Sequence, residues 1–342
     1  MKPDMRKLAT IRKIDAVDPI PNADAIEVAT VGGWKGVVKK CDFSVGDTVI
    51  YCEIDSWIPT AIAPFLSNGK ESRVYNGVLG ERLRTIKLRK QVSQGLLLPI
   101  SVIGAMGQLE IGADVTELLG IQKWEAPIPA QLAGEARGLF PSSVPKTNQE
   151  RVQNLTNEWG ELSSHTYEVT EKLDGSSCTF FLDSEGEFHV CSRNIDLKPS
   201  ETNSFWKAAV ANNVEQKMRE NGLIDFAIQG ELIGEGIQGN PYKLGGQEFY
   251  VFDMYYASSQ IYVAPTPRWA TAAKLGLNHV PMLSLMALNK DVSIEYLLTL
   301  AEGKSVLHSQ TEREGLVFKQ LSDPSISFKA ISNKFLLKEN EK

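Results

Sequence analysis

Short apolar runs, rather than long amphipathic ones, mark the first 120 or so residues. The stretches 25–31, 34–38, 48–54 and 84–88 are rich in β-branched and aromatic side chains, and glycine, proline, asparagine and aspartate punctuate them. Such a rhythm predicts a small all-β barrel. Phe43-Ser44-Val45-Gly46-Asp47 ahead of Thr48 and Ser93-Gln94-Gly95 ahead of Leu96 fit tight turns leading into strands.

From 121 to 146 that pattern stops. Pro127, Pro129, Pro141 and Pro145, with few long apolar runs, predict a linker or an extended wrap. Beyond it, 147–155 has helical character with Thr147 or Asn148 as the cap. Strands dominate from Tyr167 onward, with helices over 204–219 and 268–275. Two domains are therefore expected, 1–120 all-β and 147–342 mixed α+β, joined through 121–146. A chain of 342 residues is long enough to bury two separate cores.

Composition narrows the class. Apolar residues make up 42% and charged residues 23%, ordinary for a folded chain, and no apolar run reaches the roughly 18 residues of a membrane span. The basic N-terminus lacks an apolar stretch followed by a small-residue cleavage site, so the expectation is a cytoplasmic protein with no membrane partner, monomeric by default. Cys41, Cys52, Cys178 and Cys191 form no CxxC pair, and His165, His189, His279 and His308 are too scattered for a zinc signature. Cys178 and Cys191 lie symmetrically about Asp183-Ser184-Glu185-Gly186, so a hairpin there sets them face to face as reduced thiols.

The net charge of −6 excludes a general nucleic-acid coat, because phosphate affinity comes from lysine and arginine. Up to residue 120 there are 15 basic and 14 acidic residues, and the rest of the chain holds 21 and 28, so any cationic surface is local. The strongest candidate is Arg82-Leu83-Arg84-Thr85-Ile86-Lys87-Leu88-Arg89-Lys90. Strand alternation across it places Arg82, Arg84 and Lys90 on one face and Lys87 with Arg89 on the other, either as a solvated edge or as a surface that tracks a nucleic-acid backbone.

The sharpest chemical signal is Tyr167-Glu168-Val169-Thr170-Glu171-Lys172-Leu173-Asp174-Gly175, a strand that ends in a lysine, a turn at Asp174-Gly175 and a return strand near Cys178. A lysine at the end of a rigid strand has a fixed backbone, and burial lowers an amine's pKa from about 10.4 toward a nucleophilic free base. Further along come Ser192-Arg193-Asn194, Gly230-Glu231-Leu232, Val251-Phe252-Asp253, Glu314-Gly315-Leu316-Val317 with Lys319, and Phe328-Lys329. Lysines on apolar strands are costly unless an anion meets them.

In this order these segments resemble motifs I, Ia, III, IIIa, IV and V of the covalent nucleotidyltransferase superfamily, which contains DNA ligases, RNA ligases and mRNA capping enzymes. Within it the chain is most similar, over nearly all of both domains, to the RNA ligases with an N-terminal oligonucleotide-binding (OB) domain, the group related to the Deinococcus enzyme. DNA ligases and capping enzymes carry the OB domain after motif V, whereas only 13 residues follow Lys329 here and the barrel-like segment comes first. The segment 145–154, with Thr147 and Arg151, is also similar to one that borders the nucleotide pocket and the joined strand in RNA ligases. One departure stands out. Ile331 occupies the place of a second motif V lysine, and Lys319 or Lys334 is expected to supply that cation.

The resemblance implies an N-terminal all-β OB-like barrel and a C-terminal α+β nucleotidyltransferase (ATP-grasp-like ligase adenylation) domain with antiparallel sheets. It implies an ATP-dependent RNA ligase that seals 3'-OH/5'-phosphate breaks through lysyl-AMP on Lys172, in RNA or in nicked duplexes that contain it. Glu171, Asp174, Gly175, Arg193, Asn194, Glu231, Phe252, Glu314, Lys319 and Lys329 are then expected around ATP, with Mg2+ or Mn2+ on Glu231 and Glu314. Arg82, Arg84, Lys87, Arg89, Lys90, Thr147 and Arg151 are expected along the nucleic acid. A DNA ligase or another nucleotidyltransferase sharing the lysyl-nucleotide step, and a non-catalytic RNA-binding protein, remain alternatives at this stage.

Overall fold

The computed structural model describes residues 6–104, 109–125 and 134–339. They fall into two compact units, Met1–Pro127 with Leu336–Lys342, and Ile128–Phe335.

The N-terminal part of the first unit is built of strands and short 3-10 turns, and the end of helix Asn333–Glu339 belongs to the same unit. Thr48–Cys52 lies between Ala9–Lys13 and Leu96–Pro99, and it is buried at every position after Thr48, as a central strand must be. Ser56–Pro59 and Val78–Arg82 pair within a second, four-stranded sheet, and Ala16–Pro19, Ile26–Val31 and Trp34–Lys39 form a meander. Ile11, Ile50, Ile58 and Leu98 share the core.

The expected strand over 82–90 is two elements. Arg82 ends Val78–Arg82, whereas Ile86–Leu88 pairs only with Gln91–Ser93 as a separate hairpin, so the five cations do not alternate along one strand. Leu83 and Thr85 are buried where the chain passes from one sheet to the other.

The second unit holds two sheets. One runs Ala136–Leu139, Ile195–Leu197, Phe188–Cys191, Ser176–Leu182, Phe226–Gly234, Gln247–Tyr256, Ile261–Tyr262, with Asn278–His279 parallel beside Gln247–Tyr256. The other runs Glu150–Arg151, Ser327–Ile331, Gly315–Gln320, Thr166–Lys172, Met282–Ala287. Thr166–Lys172 and Ser176–Leu182 are consecutive in sequence yet belong to different sheets. The turn at 173–175 is therefore a crossing between sheets, not a hairpin.

Several local expectations need correction. Residues 147–155 form no α-helix: Glu150–Arg151 pairs in parallel with Phe328 and Lys329, and a 3-10 turn follows at Val152–Asn154. Tertiary pairing overrides helical propensity there. The helix over 204–219 is two, Ser204–Ala211 and Val214–Glu220, broken at Asn213 with φ +50. Helix Pro265–Lys274 begins before Arg268, with proline in its first turn, where a missing N–H costs nothing.

A helix at Ile294–Ala301 gave no clear signal, although Ser293 caps it by accepting from Tyr296 N at 3.1 Å. Of the stretch 121–146, Gln122–Lys123 pairs with Ser56–Pro59, Ala136–Leu139 joins the larger sheet, and 126–133 lie outside the described residues.

The hairpin at 183–187 forms as expected, with Asp183 Oδ1 accepting from Glu185 N and Glu187 N. Its register places Thr179, not Cys178, opposite Cys191. Cys178 then packs with Phe180 and Cys191 with Phe181, in separate core clusters, so the two thiols do not face each other. Asp183, Glu187 and His189 bring ligand atoms within 4.8 Å of one another. Arg137 already supplies the cation there, donating to Glu187 and to Asp196 at 2.8 Å each. No helix of the described residues is long and apolar enough to cross a membrane.

Candidate active site

Strand Thr166–Lys172 is buried from Tyr167 to Glu171 and delivers Lys172 at its end, opposite Gly315. Glu314, just before strand Gly315–Gln320, accepts a hydrogen bond from Lys172 Nζ at 2.8 Å. Glu231 comes from the other sheet, opposite Ser177. Burial pushes its carboxyl up to about 8, Glu314 and Asp174 push the same way, and Lys172 and Arg193 oppose them. Lys172, Asp174, Arg193, Glu231 and Glu314 thus form one electrostatic neighbourhood.

The expected pKa direction for Lys172 is overturned. Burial alone lowers the Lys172 pKa, but Glu314, Glu231 and Asp174 outweigh it and hold the amine above its ordinary value as an ammonium.

Gly175 meets a requirement for space. A Cβ there would lie 2.4 Å from Leu232 O and 2.9 Å from Glu231 Cγ, so only glycine lets the crossing chain approach the Glu231 strand this closely. Glu171 is 1% exposed. Its Oε2 accepts from Val306 N at 2.8 Å, Oε1 has no partner among the described residues, and burial raises its pKa. It therefore offers an acceptor inside the pocket wall. Phe252 is half-buried beside Leu173, Ile233 and Val280, an apolar surface on which a planar base can stack.

Lys319 is not an open phosphate clamp. It is 2% exposed, forms an ion pair with Asp253 and donates to Phe252 O at 3.0 Å. Burial lowers its pKa first, and Asp253 works against that. The network continues through Arg268, which is 0% exposed, pairs with Glu168 and donates from Nε to His279 Nε2 at 3.0 Å. Burial, followed by Arg268, pushes His279 down to about 4. Lys334, the other expected substitute for the missing motif V cation, pairs with Glu302 at 2.9 Å, while Ile331 is buried opposite Gly315.

Lys329 is half-buried and lies in register with the buried Arg151 on the neighbouring strand, so these two cations are brought together. Arg193 is exposed, and Asn194 Oδ1 accepts from Lys146 Nζ at 3.1 Å. The Thr147 hydroxyl oxygen is buried without a partner among the described residues.

In the first unit, Arg82 is committed to Asp55 at 2.6 Å and stacks 3.7 Å over Trp124. Arg84 is half-buried. Lys87, Arg89 and Lys90 are exposed, and Arg89 with Lys90 borders an open groove of about 510 Å³ that Ile20, Pro21, Asn22 and Gln91 also line.

One pocket residue escaped the sequence reading. Tyr242, 2% exposed, accepts from Asp174 N at 2.7 Å through its hydroxyl. The signal available was an aromatic residue in a run of glycines between Glu231 and Phe252.

Comparison with known proteins agrees with this geometry. A family model described as an OB-fold domain matches residues 8–100, and one described as RNA ligase matches residues 165–332. A lysine-to-alanine variant of Naegleria gruberi RNA ligase with ATP and Mn is 44% identical, covering 98% of this chain and 100% of that one, at a TM-score of 0.91. The Naegleria gruberi RNA ligase with PPi is 43% identical over 99% of this chain and 100% of that one, also at 0.91. A glutamate-to-alanine variant with AMP and Mn gives 44%, 98%, 100% and 0.91. None of the curated proteins compared with the chain matches it. Given relatives that match from end to end, and a site in which one strand-end lysine meets carboxylates from two sheets, the chain belongs to the RNA ligase family.

Proposed function

We propose that the protein uses ATP to seal a 5'-phosphate to a 3'-hydroxyl, in nicked duplexes with an RNA 3'-OH strand, through AMP carried on Lys172. The observation that carries this is the convergence of Glu314, Glu231 and Asp174 on the Lys172 amine. Support for ATP comes from solved Naegleria gruberi RNA ligase structures with ATP, AMP or PPi.

In the first step Lys172 Nζ passes its proton to the Glu314 carboxylate that it hydrogen-bonds and attacks the α-phosphorus, a P–N bond forms, and the bond to the leaving pyrophosphate breaks. Phe252 stacks on the adenine, and Glu171 Oε1 accepts from the base edge. Lys329, Arg193 and Arg151 face phosphate oxygens, where charge accumulates. Lys319 acts indirectly, by fixing the Phe252 carbonyl. AMP then passes to the 5'-phosphate, whose oxygen attacks the AMP phosphorus as the P–N bond breaks and Lys172 takes a proton back; the 3'-hydroxyl, losing its proton to water, attacks the 5'-phosphorus and expels AMP.

A divalent cation fits the acidic side of the site. Burial first, with Glu314 and Asp174 adding to it, pushes Glu231 up to about 8, and Mg2+ or Mn2+ suits such an oxygen-donor set on Glu231 and Glu314. When bound, the ion supplies positive charge that offsets the two carboxylates and the substrate phosphates.

Lys87, Arg89 and Lys90 in the first unit contact the backbone of the nucleic acid, with Thr147 beside the joined strand. The protein works as a monomer in the cytoplasm, which suits its four free cysteines. The test is transfer of label from α-labelled ATP to protein in wild type and Lys172→Ala. Wild type becomes labelled on Lys172, and persistent labelling of the variant would overturn the assignment.

A further inference from the structure

The segment joining the Glu231 strand to the Phe252 strand is a compact loop held in costly backbone conformations. Gly234, Gly236, Gln238, Gly239, Asn240 and Lys243 all have positive φ. Three of these are not glycine, and such residues keep that conformation only where the surroundings enforce it. Asn240 closes the loop on itself, donating to Leu244 O at 2.9 Å and accepting from Leu244 N at 3.0 Å.

This loop contacts the segments beside both members of the Lys172–Glu314 pair. On one side Asp174 N donates to the Tyr242 hydroxyl at 2.7 Å, and Gln238 Nε2 donates to Gly175 O at 3.3 Å. On the other, Thr311 Oγ1 donates to Pro241 O at 2.5 Å, in the segment that leads to Glu314. The Tyr242 ring packs with Leu173 and Ile233, so it cannot swing away. Burial also raises its phenol pKa, which keeps the hydroxyl protonated.

The geometry points to Tyr242 as a positioning residue for nucleotidyl transfer: with Pro241 it staples the Asp174 turn to the Thr311 segment and sets the separation between Lys172 and Glu314. This rests on Lys172 being the nucleophile. Tyr242 fixes backbone, not substrate, so its removal slows the transfer without weakening ATP binding to match. A displacement of about 1 Å at a reacting pair can cost on the order of 10²-fold in rate.

The experiment is single-turnover adenylylation with α-labelled ATP on the full chain. Wild type must label at Lys172; if it does not, the proposed function fails before Tyr242 is tested. With wild type labelling, Tyr242→Phe and Thr311→Val each slow the rate constant by roughly 10-fold or more at nearly full amplitude and with little change in the ATP concentration for half-maximal rate. Lost folding would cut amplitude instead. Thr311→Ser, which keeps the hydroxyl, restores the rate, and the double variant Tyr242→Phe/Thr311→Val is slowed by less than the product of the two single effects, because both act through one loop. The inference is overturned if Tyr242→Phe labels within about 2-fold of the wild-type rate, if only amplitude falls, or if the two effects multiply.

Discussion

Lys172 and Glu314 are 142 residues apart in sequence, and their side chains meet at 2.8 Å across adjacent strands. Glu314, Glu231 and Asp174 together hold the proton on nitrogen.

The burial of Glu231 in this pocket sets a pH dependence of stability. Glu231, at about 8 when folded against an ordinary 4.5, keeps a proton that the unfolded chain has released. A raised folded pKa means stability that is full below about pH 4.5, declines as pH rises and is lost by about pH 8. In chelated, metal-free buffer the thermal midpoint should fall over this window, and Glu231→Gln should flatten the slope. An unchanged slope in the variant would show that another group carries it.

Lys319→Met should unfold more easily by about 3–5 kcal/mol, because it leaves Asp253 as a buried carboxylate without its ammonium. Urea titration measures this directly. A lysine serving only as a phosphate contact would lower activity while leaving the denaturation midpoint in place.

Gly175→Ala places a methyl group 2.4 Å from Leu232 O, and a strand backbone cannot retreat as a side chain can. Self-adenylylation should drop on the order of 10²-fold, and stability should fall by about 1–3 kcal/mol. Wild-type labelling kinetics from this variant would mean that the two sheets tolerate separation.

Two hairpins of the first unit turn through a pair of residues that both have positive φ. Asn76-Gly77 adopts φ +46 and +80, the residues such a turn favours, whereas Arg89-Lys90 adopts φ +48 and +70 with two bulky side chains. Replacing Arg89-Lys90 with Asn-Gly should stabilise the protein by about 1 kcal/mol. It should also weaken binding of nicked duplex and reduce the salt slope by roughly 2. A gain in stability with unchanged binding would remove these cations from the nucleic-acid path.

Local sequence carried much of the site because Lys172, Asp174 and Glu314 sit at or beside strand ends and Glu231 interrupts an otherwise buried strand. Lys172, Asp174, Glu231 and Glu314 each follow or precede a buried run, and the fold brings them to one place. What could not be read depended on partners distant in the chain. Lys319 looked like an anion contact until Asp253 and Arg268 came in from other elements. Residues 147–155 looked helical because their parallel partner, 328–329, lies near the far end of the sequence. Tyr242 was invisible because it acts through a backbone N–H, and backbone contacts leave no residue-type signature.

The crossing at 173–175 also sets an order of assembly for the pocket. Lys172 comes from the strand just before it, whereas Glu314 and Lys329 enter only with strands Gly315–Gln320 and Ser327–Ile331, much further along the chain. Until Gly315–Gln320 has paired with Thr166–Lys172, the Lys172 amine lacks its Glu314 partner. On the proposed chemistry, capture of radiolabel by Lys172 therefore reports that this sheet has closed.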